Sequence, residues 1–394
     1  MTLKMSKTKR ILFYIAIMLS NVAVMGEQVI QPITYNFYNA FPDSQTAVNM
    51  ILSIPLIMMI IFSIIAGKLC NHFNKKNLLI FGGVLFAIGS IFGLTVETIP
   101  YIIIMRAVTG IGEAFVTTVA VVFIGDVYGN EGARAKFLGI YNAVMALIGV
   151  VMSQAAGSLA VSKWENSFWV YWAAVPMVIA MILFLPSIQK TEDVAETRKG
   201  KKEPFGKAFW VMAFDYLIYN IAYGCIAYFI SLYIVENGIG NEVFSGTYIA
   251  MCTAGSAVTC MIFGFLLYKY LGNKTAVLAY GMAAAAIAIH IFIPTKAAAI
   301  VGALLIGSSY GNVFSFGFAY APMVVPKSRA DEATGVASAL TVGPWFISTY
   351  LMTWLMDGVF KTELVTPCLI VPLGMCVVAF VIELIFTGKY KRMV

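Results

Sequence analysis

Apolar windows about 20 residues long, the length that crosses a bilayer's hydrocarbon core at 1.5 Å of rise per residue, recur along these 394 residues. Inside hydrocarbon every backbone amide must find its partner within the protein, so such runs are helices and the chain spans the membrane many times. Twelve spans are expected, at 11–38, 46–67, 77–96, 100–126, 136–161, 168–186, 208–235, 243–268, 275–294, 298–323, 333–357 and 366–388. Composition agrees: 60% of residues are hydrophobic and 11% are charged, whereas about a quarter are charged in ordinary soluble domains. Lys4, Lys7, Lys9 and Arg10 precede the first run as they would in a signal peptide. That run is too long and lacks a small-residue cleavage site, so a retained helix is expected.

The location of basic residues sets the expected orientation. With both termini cytoplasmic, 22 of the 26 Lys and Arg fall in the tails and even-to-odd loops. Lys163, Lys296 and Lys361 lie on the other side, and Arg106 is inside a span. This is the positive-inside asymmetry, and it assigns the net charge of +7 to the lipid headgroups; no nucleic-acid partner is expected. Residues 187–207 hold the one long polar stretch, with Lys190, Arg198, Lys199, Lys201, Lys202 and Lys207 beside Glu192, Asp193, Glu196 and Glu203. It reads as a cytoplasmic linker between an N-terminal six-helix bundle, 1–186, and a C-terminal one, 208–394. The cysteines lie scattered in or beside apolar runs, which points to buried hydrophobes and away from disulfides or a metal cluster.

A basic turn repeats between the halves. Gly67-Lys68-Leu69 runs on through Asn71 to Lys75-Lys76, and a matching turn runs from Gly264 through Lys269 to Gly272-Asn273-Lys274. The two leading glycines are 197 residues apart, half the chain. Arg106-x3-Gly110-x-Gly112 follows in span four, Phe168-Trp169-Val170-Tyr171 enters span six, and Arg134/Gly139 and Arg329/Gly335 mark loops after spans four and ten. On these residues the chain resembles the major facilitator superfamily. The resemblance implies an all-α integral membrane protein whose 12 transmembrane helices form two pseudo-symmetric six-helix bundles.

Two further stretches narrow the resemblance. Gly149-x3-Ser153-Gln154-x2-Gly157-Ser158 is similar to the Gly-x3-Gly-Pro-x2-Gly-Gly pattern of drug:proton antiporters, with Ser-Gln in place of Gly-Pro. Gly26-Glu27-Gln28-Val29-Ile30-Gln31-Pro32 resembles the acidic first helix of multidrug antiporters. The loop turn departs from the family: Asn71 stands where Asp is usual, His72 where a basic residue is, and Asn74 where Gly is. As a group Gly67, Asn71, Lys75, Lys76, Gly264, Lys269 and Gly272 are read as gating-loop positions.

Ionisable residues inside a span cost at least a few kcal/mol on insertion scales and are therefore functional candidates. Four lie deep: Glu27, Arg106, Glu113 and Asp215. Glu27 reads either as a proton-coupling carboxylate or as a permanent structural partner, and Glu113 and Asp215 as further proton carriers. Arg106 cannot lose its charge, so it pairs with Glu27 or holds an anionic cargo. Glu113, seven residues further on, lies about 10.5 Å along the axis from Arg106 and needs another partner or a proton. Glu27, Arg106, Glu113, Asn142, Gln154, Tyr216, Tyr219, Asn220, Tyr223, Tyr310 and Asn312 form the expected substrate-binding set, with ordinary interhelix bonding as the alternative for the tyrosines. Asp126, Asp357 and Glu383 sit near span ends and read as interface residues. His290 reads as structural.

No Walker, triad or metal-ligand spacing occurs, so neither an enzyme nor a cofactor is expected. The leading expectation is a secondary transporter with alternating access, exporting a small amphipathic or apolar compound against protons, in a cell membrane that the compact loops suggest is bacterial. The alternatives are uptake of a small organic anion held by Arg106, and a non-transporting sensor, whose expected mark would be an added soluble domain. Partners are the small-molecule substrate and the bilayer, with the chain a monomer. Reporter fusions at both termini should read cytoplasmic and a tag beside Lys163 external; the reverse pattern would invert the topology.

Overall fold

The computed structural model describes residues 6–42, 44–70, 72–96, 98–127, 131–187, 204–326 and 330–386. Each expected span is met by helix. Nine helices among the described residues are long and apolar enough to cross a membrane, and a tenth span is a pair, Lys7–Val24 and Gly26–Ala40, bent by 54°. The other two expected spans are Lys75–Ile91, a 17-residue helix, and Ala330–Trp354. The helix of span three thus stops short of the expected 96, because Gly93 and the following residues turn away. Span eight, Glu242–Ile262, continues through a wide π turn at Phe263–Leu267, and span eleven likewise through Leu355–Phe360. Span six begins with tight 3-10 turns at Trp164–Ala173 before Ala174–Phe184.

Local chemistry explains the ends. Ser6, Asn74 and Thr295 each accept a backbone N–H of the first turn that follows, as N-caps do. Asn74 therefore has a task at the position where the resembled loop carries Gly. Gly272 has φ of 56° and closes the turn between spans eight and nine in a conformation that favours glycine. The bend in span one falls between Val24 and Gly26 and is succeeded by a 3-10 turn at Gln31–Ile33, where Pro32 supplies no N–H.

The chain folds into two compact units. One comprises Met1–Ile188 with Ala227–Ala254, and the other Gln189–Ile226 with Gly255–Val394. Of the expected linker, 188–203 lie outside the described residues. In the first unit, spans three and four approach through glycine. A Cβ at Gly112 would run into the backbone of Phe86 and the carbonyl of Gly82, and one at Gly89 into the backbone at Thr109 and Met105. Small residues permit such contact where no hydrophobic effect drives helices together. In the same unit Ser231 donates to the Pro32 carbonyl at 2.8 Å, tying the outer part of span seven to span one. The second unit packs span nine, Lys274–Phe292, against spans ten and twelve.

Because Gly112 meets backbone, which cannot rotate aside, Gly112→Val is expected to cost about 1–3 kcal/mol or more. A fall in the apparent unfolding temperature of the detergent-purified protein checks this, and an unchanged temperature would refute the close approach.

Candidate functional site

The site in the first unit grows from two helix defects that face one arginine. Pro55, inside Gln45–Leu69, has no N–H, so the carbonyl four residues earlier, at Ile51, lacks its helical donor. Span one breaks beside Gly26, and Glu27 opens the turn after the break. Arg106 of span four, 2% exposed, answers both. Its Nε donates to the Ile51 carbonyl at 3.1 Å, and its Nη2 donates to Oε1 and Oε2 of Glu27 at 2.8 and 2.7 Å. Gly110, one turn further along span four, lets the backbone lie directly on Pro55. The expected Glu27–Arg106 contact is therefore present, and the guanidinium has a second acceptor, a carbonyl of the kind the sequence allows for Arg106 but does not identify. The signal for it was available in a proline within an apolar helix.

Glu113 lies two turns beyond Arg106 and is 1% exposed. Neither of its carboxylate oxygens has a hydrogen-bond partner. Its Oε1 occupies the space that a Cβ on Gly26 would need, so the bare glycine at the break is the seat of this carboxyl. Glu27 and Arg106 act on it electrostatically. Tyr171 donates to the Gly26 carbonyl at 3.0 Å and meets Phe86 edge-on. Tyr171 was recognised in sequence only as part of an aromatic patch, and it holds the backbone of the break in place. Buried Tyr228, from the outer part of span seven, belongs to the same electrostatic neighbourhood.

Span five's glycine pattern works by close approach. A Cβ on Gly157 would strike the carbonyl of Glu242 and the Cα of Gly246, and one on Gly149 would meet Met25 and Thr253. Ser153, standing where the resembled pattern has Gly, uses its hydroxyl on its own helix, donating to the Val150 carbonyl at 3.1 Å. Gln154 accepts from Thr247 at 2.9 Å, Gln28 accepts from Thr253 at 3.5 Å, and Asn36 donates to Glu242 at 3.1 Å. Asn142 is exposed on span five.

The second unit holds the other candidates. Tyr216 and Tyr219 are buried, with their hydroxyls bonded to Thr341 at 3.0 Å and Ser309 at 2.9 Å. Asn220 donates to the Tyr216 carbonyl and Asn312 to the Thr275 carbonyl. Tyr223 and Tyr310 are half-buried and stack at 4.3 Å, with Trp345 against both. Asp215 is fully buried. Glu383, expected at the interface, is also buried: Pro372, Cys376, Ala379 and Glu383 recur at helical spacing on the packed face of Ile370–Phe386. Asp357 is exposed. Buried His290 bonds through Nδ1 to the Ala286 carbonyl against Gly302, a structural placement.

At the loop positions, Gly67, Lys75 and Lys76 are partly exposed, and Gly264 falls in the π turn. Lys269 is exposed with its ammonium 5.4 Å from the Tyr270 ring centre. Asn71, Arg329 and the side chains of Asp126 and Arg134 lie outside the described residues.

A multi-pass helical membrane protein with ionisable groups buried in its spans has the architecture of a polytopic transporter. The chain belongs to the Major Facilitator Superfamily, whose profile it matches over residues 16–349. It is 28% identical to multidrug resistance protein 1 of Bacillus subtilis over 262 residues, 64% of this chain and 66% of that protein. It is 24% identical to multidrug resistance protein MdtL of Shewanella oneidensis over 315 residues, 76% of this chain and 78% of that protein. Multidrug resistance protein 3 of Bacillus subtilis matches over 50% of its length, so the chain spans about half to two thirds of the length of these two Bacillus subtilis proteins. Among solved structures, a peptide transporter POT mutant superposes with a TM-score of 0.77 at 12% identity, covering 97% of this chain and 94% of the other. A bacterial homologue of the lysosomal transporter Spinster gives 0.73 at 16% identity, covering 99% and 100%.

Removing one partner of a buried pair leaves an uncompensated charge, at about 3–5 kcal/mol. Arg106→Gln should therefore unfold at a lower temperature than the double variant Glu27→Gln/Arg106→Gln, in thermal scans of purified protein. Equal temperatures would show that the pair is not what holds these helices.

Proposed function

We propose that this chain is a proton-coupled exporter of a small amphipathic or apolar compound, working by alternating access of two six-helix bundles joined by the 187–207 segment. The observation that carries the reading is Glu113, a carboxyl enclosed in a span, with no hydrogen bond, beside a Glu27–Arg106 pair already complete. An ionised carboxylate without partners is costly in such surroundings, and a proton is the neutralising ligand that fits. In this scheme Glu113 takes a proton from the outer side and yields it inside, while cargo leaves in exchange. Glu27 and Asp215 are the further candidate carriers. The names of the multidrug resistance relatives support export of such compounds, and the basic inner loops support a bacterial plasma membrane with both termini cytoplasmic.

Uptake of an organic anion on Arg106 is the weaker reading. The guanidinium is engaged by Glu27 and by the Ile51 carbonyl, so an anion would have to displace an intramolecular carboxylate.

The test uses proteoliposomes loaded with a lipophilic dye substrate. Glu113→Gln, which mimics the protonated carboxyl at constant shape, should reduce pH-gradient-driven transport while substrate exchange without a gradient continues. The expected loss is at least about fivefold, the lower end of ordinary coupling energies. Gradient-driven transport at the wild-type rate would overturn the reading.

A further inference from the structure

The second unit contains a carboxyl whose surroundings pose a separate problem. Asp215 has no exposed surface, and no hydrogen-bond donor reaches either of its carboxylate oxygens. It sits eight residues into Lys207–Glu236, about 12 Å along the helix axis from that end. The group within hydrogen-bonding reach of it is another carboxyl, that of Glu383 from span twelve, 7% exposed. Tyr280 of span nine, 2% exposed, faces both acids. Around them Tyr216 is engaged with Thr341 of span eleven and Tyr219 with Ser309 of span ten. Glu383 and Tyr280 are the titratable groups that face Asp215, Tyr216 and Tyr219 lie about Tyr280, and no ion pair reaches Asp215 among the described residues.

Two ionised carboxylates are acceptors only, so they cannot hydrogen-bond to each other, and as like charges in a desolvated site they repel. A hydrogen on one of them turns that repulsion into a hydrogen bond. We propose that Asp215 and Glu383 form an acid pair that binds one proton between their carboxyl oxygens, a proton site in the second unit separate from Glu27, Arg106 and Glu113. Uptake joins one proton to two carboxylates and leaves a single negative charge shared by the pair, with the Tyr280 hydroxyl beside it. Release restores two adjacent anions and drives spans seven and twelve apart. The role of this site in transport rests on the proton-coupled reading above, but its binding of a proton does not.

The experiment uses the purified full-length chain in detergent, with infrared difference spectra between acidic and alkaline pH and a count of protons taken up in a pH jump. Wild type should show a protonated-carboxyl band and bind one proton more than Asp215→Asn or Glu383→Gln, each of which should lose that band. Asp215→Glu should keep it. Each variant is read only where its size-exclusion elution matches wild type, and the two separate acids give two independent chances. Bands and proton counts unchanged in both variants would overturn the proposal. So would saturable heat from sodium chloride, absent in the variants, since an alkali ion would then hold the pair together. If the acid band is found but Glu113→Gln still transports on a pH gradient, the export reading falls while this site stands.

Discussion

The structure of the first unit turns on one side chain that cannot be neutralised. Arg106 has to satisfy a planar guanidinium inside a membrane span, and three helices are arranged to do so. Span two contributes a carbonyl that Pro55 has released, span one contributes a carboxylate displaced inward by its break, and span four comes near enough because Gly110 lies on Pro55. Each departure from a regular helix would be a loss by itself. Together they supply the acceptors that Arg106 requires, so the proline, the bend and the arginine are one device.

The same break creates the seat for Glu113. A side chain at Gly26 would fill the space this carboxyl occupies, and Tyr171 holds the neighbouring carbonyl in place. The consequence is a division of labour between two acids of similar depth. Glu27 has both oxygens on Arg106, whereas Glu113 has none engaged.

The two units meet the problem of polar groups in hydrocarbon differently. The first gathers opposite charges around Arg106. The second spends most of its polar groups on local bonds, with Tyr216 and Tyr219 each bonded to a nearby hydroxyl and Asn220 and Asn312 each donating to a carbonyl, and leaves Asp215 facing another acid. Half-buried Tyr223, Tyr310 and Trp345 form the stacked aromatic surface of that unit.

By itself the sequence determined that the chain is a bundle of membrane helices, where each begins to within a few residues, and that Glu27, Arg106, Glu113 and Asp215 lie inside. Those follow from hydrophobic run length and from the cost of burying charge, both of which are local and additive. It also suggested the Glu27–Arg106 pair, because depths along two neighbouring spans can be counted. Tertiary structure alone decided the rest. That Ile51 offers its carbonyl, that Gly26 seats Glu113, and that Glu383 turns inward toward Asp215 depend on how helices rotate about their axes. Helix rotation is set by side-chain packing between segments distant in sequence, and in hydrocarbon no single strong amphipathic stripe announces it beforehand.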